Sequence, residues 1–400
     1  SGTPLVWATS ASWLGNLAPG SASNVIITTG DFVNVSGSSI TRNAGTTTTV
    51  NGTLISSNGI TQSGTMTVSS TGTYQHAMNG NAIPTATWSS GSTCNITGIG
   101  GTAPGGLGQA FHHLIWNCSA QSSAVGLAGA ITGPINGDFS ILSTNSQQLR
   151  LGSTQSITLT VSGIFNLSGS SILVLNSGNG SNVLTITGTS NISAGTITNS
   201  SANNTGAPVI NFNGNLNLSG TGIIDLQLSG STAGSNNGIV NLRGNLNMTG
   251  GSIVKTGTAT GATFNFAKTG TQTFTKSAGT ISGNQLFNIN SGAVVDFGTN
   301  ILDGATGGFT LASGGGIITA NTNTTGALTT SGTNGTIQVT GTRTYNTGAD
   351  YTFSGASAQV AGNGFTGSRN LTITNTSGLK LAASTAATVS GTLSLSGDLD

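Results

Sequence analysis

The chain has 400 residues, of which only 4% are charged, and its nine Lys and Arg against eight acids leave a net charge of +1. Soluble domains carry about 25% charged residues, so a string of ordinary globular domains is excluded. Nine scattered basic residues make no patch for nucleic acid, and no apolar run reaches the ~18 residues of a membrane span.

All the acids are Asp, Gly supplies 64 residues, and straight-chain helix formers are scarce, so helices are not expected. Hydrophobic residues make up 35% of the chain, many in period-2 positions. That is enough for a long, thin core of strands with alternating inward and outward side chains. By composition alone, an Asn/Ser/Thr/Gly-rich, charge-poor β chain is expected on a bacterial exterior. Residues 1–30 carry no charged n-region followed by an apolar stretch, so any signal peptide is expected to lie outside this sequence.

Residues 1–30 hold Trp7 and Trp13 and then the strand-like Asn24-Val25-Ile26-Ile27. They are expected to form an N-terminal cap, because the end of a repeat stack exposes its core. Short alternations follow in Phe32-Val33-Asn34-Val35, Thr48-Thr49-Val50, Thr53-Leu54-Ile55 and Met66-Thr67-Val68, with Gly and Ser between them as turns require. The run Thr46 to Thr49 would make a flat threonine surface only if Thr-x-Thr recurred on coil after coil. Later segments carry Asn, Ser or Gly there as often.

Residues 74–138 read as the least regular part. They contain His76, His112 and His113, both cysteines, Trp88, Trp116, and Pro84, Pro104 and Pro134. Loop excursions of this kind are where binding residues concentrate, so Tyr74, Trp88, His112 and Trp116 are the candidate ligand-binding residues. A metal site from His112, His113 and Cys118 is not expected: adjacent strand residues face opposite ways, and no carboxylate is near in sequence. No cofactor is expected. Cys94 and Cys118 are separated by close to one repeat length. If they sat above one another at the ~4.8 Å strand spacing, a disulfide would be within reach.

From Phe139 the repeat reads as regular to the end. Its phrase is an apolar–polar–apolar triad: Ile210-Asn211-Phe212, Val240-Asn241-Leu242, Phe264-Asn265-Phe266, Phe287-Asn288-Ile289 and Phe309-Thr310-Leu311. Phe139-Ser140-Ile141, Leu159-Thr160-Val161 and Leu184-Thr185-Ile186 precede these; Ile337-Gln338-Val339 and Leu371-Thr372-Ile373 follow. Repeats of this length with Gly/Asn corners predict an all-β parallel β-helix, a β-solenoid of about 25 residues per coil. About 15 coils would give a rod on the order of 70 Å long. The middle Asn of each triad should face solvent. The expected organisation is a cap over 1–30 and one solenoid over 31–400.

Leu371-Thr372-Ile373-Thr374-Asn375-Thr376-Ser377-Gly378-Leu379-Lys380-Leu381, with Val389-Ser390-Gly391-Thr392-Leu393-Ser394-Leu395-Ser396-Gly397, resembles the repeats of large secreted surface proteins of Bacteroidota. Many of those are adhesins exported by the type IX secretion system. Ala11-Ser12-Trp13-Leu14-Gly15, with Pro19 and Asn24-Val25-Ile26-Ile27, is similar to the start of autotransporter-like passenger domains. The resemblance implies a surface rod and carries over no catalytic residue. No type IX sorting domain is visible.

The expected function is therefore a non-catalytic extracellular structural or adhesive rod. Its partners would be cell-surface or polysaccharide ligands, or further copies stacked end to end. The alternative is a carbohydrate-binding module using Trp88, Trp116 and Tyr74. A polysaccharide-degrading enzyme is the weaker reading: hydrolases need paired carboxylates about 5–9 Å apart, and Asp296 and Asp303 are expected on different faces with no basic partner close in sequence.

Overall fold

The computed structural model describes residues 4–14, 16–128, 130–200, 206–228, 238–258, 261–382 and 386–400. Gly15 of the N-terminal phrase lies outside them. The fold is an all-β parallel β-solenoid with roughly 24 residues per coil. Among the described residues the only helical element is the 3-10 turn Ser10–Ser12. Contacts divide the chain into two compact units, residues 1–174 with 182–188, and residues 175–181 with 189–400.

In the first unit one face stacks Leu5–Val6, Phe32–Val35, Thr53–Ser56, Thr73–His76, Thr93–Ile96, His113–Asn117, Phe139–Ser143 and Phe165–Leu167, all parallel. Alternate residues point inward and align between coils, so Val33, Leu54, Tyr74, Cys94, Leu114, Phe139 and Phe165 form one buried column. Leu54, Tyr74, Cys94 and Leu114 follow one another at a constant short step, which lengthens only at Phe139. The stretch that reads as least regular in sequence thus keeps its register from Thr73 to Trp116, with a shift only between Trp116 and Asn117. Its Pro- and Gly-rich segments leave the coil between strands, where no ladder hydrogen bond is lost.

A second face stacks Val25–Ile27, Thr47–Val50, Thr65–Val68 and Thr87–Trp88. The N-terminal segment lies against this unit. Trp7 is buried, its carbonyl accepts from Trp13 Nε1 at 2.8 Å, and the two rings meet edge to face at 5.1 Å. Arg42, also buried, donates from Nη1 to the Gly20 carbonyl at 2.6 Å and from Nη2 to the Ser23 carbonyl, with its guanidinium 5.6 Å from the Trp7 ring centre.

In the second unit the triads stack as the sequence suggests: Val209–Phe212, Ile239–Leu242, Thr263–Phe266, Leu286–Ile289 and Phe309–Leu311 lie parallel and in register. Ile210, Val240, Phe264, Phe287 and Phe309 form one buried column. The middle residues face outward and are partly exposed. Asn241 donates to Asn211 at 2.9 Å, Asn265 to Asn241 at 2.9 Å and Asn288 to Asn265 at 2.8 Å. The hydrogen-bonded asparagine ladder therefore runs along an outer face of the second unit.

Two later triads belong elsewhere. The next strand under Phe309–Leu311 is Arg343–Tyr345, whereas Ile337–Gln338 pairs with Leu302–Asp303 and Leu371 with Tyr351. Phe139-Ser140-Ile141 likewise sits on a different face from Leu159-Thr160-Val161. Every face of a coil reads in–out–in, so the phrase alone does not say which face it occupies.

Corner glycines allow the close stacking. Gly279 has φ +87°, and a Cβ there would lie 2.4 Å from the Gly250 carbonyl oxygen on the previous coil. Only a residue without Cβ serves both demands.

Candidate functional site

Tyr74, Trp88, His112 and Trp116 do not converge on a binding surface. Tyr74 fills the inward column between Leu54 and Cys94, and Trp116 lies between Ile96 and Ile141; both are fully buried. Trp88 continues the inward column of Val50 and Val68. Its Nε1 donates to Gln109 Oε1 at 3.0 Å, and its ring meets Phe111 at 4.9 Å and Tyr74 edge-on at 6.3 Å. Part of the Trp88 ring reaches solvent. Two of the four candidates, Tyr74 and Trp116, are core residues placed there by the register of short coils, and Trp88 lies half-buried at the end of its column.

His112 remains near the surface, with Nε2 3.1 Å from Ser90 Oγ. Its ring centre is 4.3 Å from that of His113, and both rings are partly exposed. The expected opposition of the two side chains fails because His112 precedes the strand, which starts at His113. A carboxylate is present after all: the next coil brings Asp138 Oδ2 to 3.4 Å from His113 Nδ1, which also accepts the Asp138 backbone N–H at 3.0 Å. Asp138 Oδ1 accepts the Ile164 N–H at 2.7 Å. The Ser90–His112 pair and the His113–Asp138 pair are thus separate, and no serine–histidine–aspartate relay is assembled. Burial and the neighbouring His113 push the His112 pKa down. No group of three metal-ligating side chains occurs among the described residues.

The expected disulfide is absent. Cys94 stands opposite Leu114, not Cys118, because the local coil is shorter than the spacing between the two cysteines. The four residues from Leu114 to Cys118 amount to roughly 13 Å of strand, beyond the ~7 Å limit for a bridge. Both cysteines are buried free thiols, and Cys118 Sγ lies 3.4 Å from the Ile96 carbonyl. Burial pushes the Cys118 pKa up to about 11 and that of Cys94 higher still. Neither thiol should react with iodoacetamide at pH 8 in the folded protein, and both should react in guanidinium. Rapid alkylation of the native chain would contradict this placement.

His76 is a buried histidine in the same inward stack. Tyr74 Oη lies 3.3 Å from its Nδ1, and Nε2 is 2.8 Å from the Gly80 carbonyl. Burial lowers its pKa from 6.5. Below pH 6.5 the unfolded chain binds the proton more readily than the folded one, so stability should fall as pH drops from there. Chemical denaturation at stepped pH should show that slope, and His76→Gln should reduce it; an unchanged slope would remove His76 as the cause.

Sequence reasoning missed how the few charges are used. Asp225 is buried; its Oδ1 accepts the backbone N–H of Gln227 at 3.0 Å and of Thr256 at 3.2 Å, and its Oδ2 accepts Thr256 Oγ1 at 2.6 Å. Lys255, 5% exposed on the next coil, donates from Nζ to the Gly257 carbonyl at 2.8 Å and to Asn284 Oδ1 at 2.6 Å. Arg343 is buried against four acceptors of the segment 329–339. Asp303 is paired with Lys276 at 3.1 Å, a partner that lies a coil away, and it sits on a different strand ladder from Asp296. Asp350 holds Arg369 by two bonds of 2.9 and 2.6 Å. The available signal was a single charge in an otherwise neutral stretch: in so charge-poor a chain each one marks a local task.

Comparison with family models, with curated proteins and with solved structures finds no match to this chain. The class that can be stated is that of the fold, a parallel β-solenoid. No helix among the described residues is long and apolar enough to cross a membrane.

Proposed function

We propose that this chain is a non-catalytic structural or adhesive β-solenoid of a bacterial cell exterior, part of a surface adhesin or filament of the Bacteroidota type that its repeats resemble. The observation that carries this reading is the charge-poor outer surface built from hydrogen-bonding amides and hydroxyls, on which Arg243 donates to Asn211 Oδ1 at the start of the asparagine ladder. In the second unit the ladder Asn211, Asn241, Asn265 and Asn288 lines one face. In the first unit Thr49, Thr67 and Thr87 align in a column that begins at the exposed Ile26. Such amide and hydroxyl rows offer donors and acceptors at the coil spacing, suited to neutral polysaccharide or to other copies. The buried charges, meanwhile, are spent on holding loops.

The test is retention of the purified chain on cellulose, chitin and bacterial cells, run beside assays for new reducing ends and unsaturated sugars. Retention without product is expected. Product formation that disappears in Asp225→Asn or Asp303→Asn would overturn the non-catalytic reading. A carbohydrate-binding module is favoured over a passive scaffold if Trp88→Ala, which removes the partly exposed tryptophan of the candidate set, abolishes retention while the fold survives.

A further inference from the structure

Three successive coils of the second unit meet at one corner. Asp225 stands opposite Val254, and Val254 opposite Ser282. Lys255 and Asn284, each just beyond its strand register, therefore come from neighbouring coils. The Lys255 stem is buried, and its Nζ touches the Asn284 side-chain carbonyl at 2.6 Å. The Gly257 carbonyl holds the same amine from the other side at 2.8 Å. The amine and the amide it faces are thus held together at the ends of two paired strands, an arrangement in which an intramolecular reaction gains from orientation.

We propose that Lys255 and Asn284 join in a covalent isopeptide bond that ties one coil to the next. The neutral amine of Lys255 adds through its lone pair to Cγ of Asn284. The Nζ–Cγ bond forms, the Cγ–Nδ2 bond breaks, and Nδ2 leaves as ammonia with the proton that Nζ gives up. No oxidant, reductant or co-reactant is needed. Burial lowers the pKa of Lys255 and raises that of Asp225, both shifts in the direction of the uncharged form, and the uncharged amine is the nucleophile. Asp225 touches neither reacting atom; through its bonds to the N–H and Oγ1 of Thr256 it positions the turn that carries Lys255. In a solenoid each coil is held only by its neighbours, and both cysteines are free. A bond between residues 255 and 284 would supply the covalent tie between coils that no disulfide provides.

The experiment is intact-mass analysis of the full folded chain, with peptide mapping. The expected result is a mass below that of the sequence by one ammonia, and a branched peptide joining Lys255 to Asn284. Lys255→Arg and Asn284→Ala should each restore the mass of their own sequence. An Asn–Gly succinimide also loses ammonia, so a loss that persists in Lys255→Arg overturns the proposal. So does a wild-type chain of full sequence mass with unmodified Lys255 and Asn284 peptides. If either variant fails to fold, the wild-type branched peptide decides alone. The outcome is independent of the adhesive reading, which concerns the outer faces.

Discussion

Phe266→Ala is expected to destabilise the second unit by about 3–5 kcal/mol, the usual cost of emptying a buried phenylalanine site. Phe266 is fully buried and is the meeting point of a ring cluster: Phe264 at 5.5 Å, Phe274 at 6.2 Å and Phe297 at 6.3 Å. These rings come from different faces of the coils, so the cavity cannot close by moving one strand without breaking its ladder. Repeat stacks need not unfold in one step. Amide exchange in Ile239–Leu242, Thr263–Phe266 and Leu286–Ile289 is therefore the better readout, with urea unfolding beside it. A loss of less than ~1 kcal/mol would mean that the cluster is not the close-packed centre described.

Arg343→Ala should cost at least about 3 kcal/mol and should act first on the segment 320–336. Arg343 occupies the inward position beneath Phe309, where the column calls for an apolar side chain. It is 5% exposed. Its Nε donates to the Val339 carbonyl at 2.9 Å, Nη1 to the Thr329 carbonyl at 3.1 Å and to Thr329 Oγ1 at 2.8 Å, and Nη2 to the Gly332 carbonyl. Truncation leaves the buried Val339 carbonyl and Thr329 Oγ1 without this donor, at about 1–3 kcal/mol each, and removes the ties to the Thr329 and Gly332 carbonyls. Exchange protection of the Thr336 N–H, which donates to Ala327 at 2.8 Å, should fall by ~100-fold or more. Arg343→Lys should rescue little, because one ammonium cannot reproduce the planar fork. Full rescue by lysine would show that charge alone, not the fork, holds the loop.

The departures from sequence expectation share a cause. Aromatics among Pro, His and Gly look like a loop site, which is why the sequence alone points to Tyr74 and Trp116 as binding residues. The short step that carries both into the core becomes visible only when Leu54, Tyr74, Cys94 and Leu114 are seen in one column. The same step defeats the disulfide. The spacing of the cysteines matches the average coil, but the local coil is shorter, and the offset separates the sulfurs. Asp138 beside His113 was equally out of reach of sequence reading, since a whole coil of chain parts them and one coil rise joins them.

The class of fold, the coil as the repeating unit, and the outward direction of Asn211, Asn241, Asn265 and Asn288 are all legible in the residues. Period-2 alternation and glycine corners are local properties, written within a few positions of the chain. Only the folded stack reveals which phrases share a face, that Arg343 replaces an apolar residue beneath Phe309, and that Asp225, Lys255 and Asn284 meet. Those facts depend on the length of each coil, which is short between Cys94 and Leu114 and much longer between Phe309 and Arg343. A parallel stack fixes neighbours by the accumulated length of chain between strands, and one corner loop of different length changes which side chains face each other across the coil step.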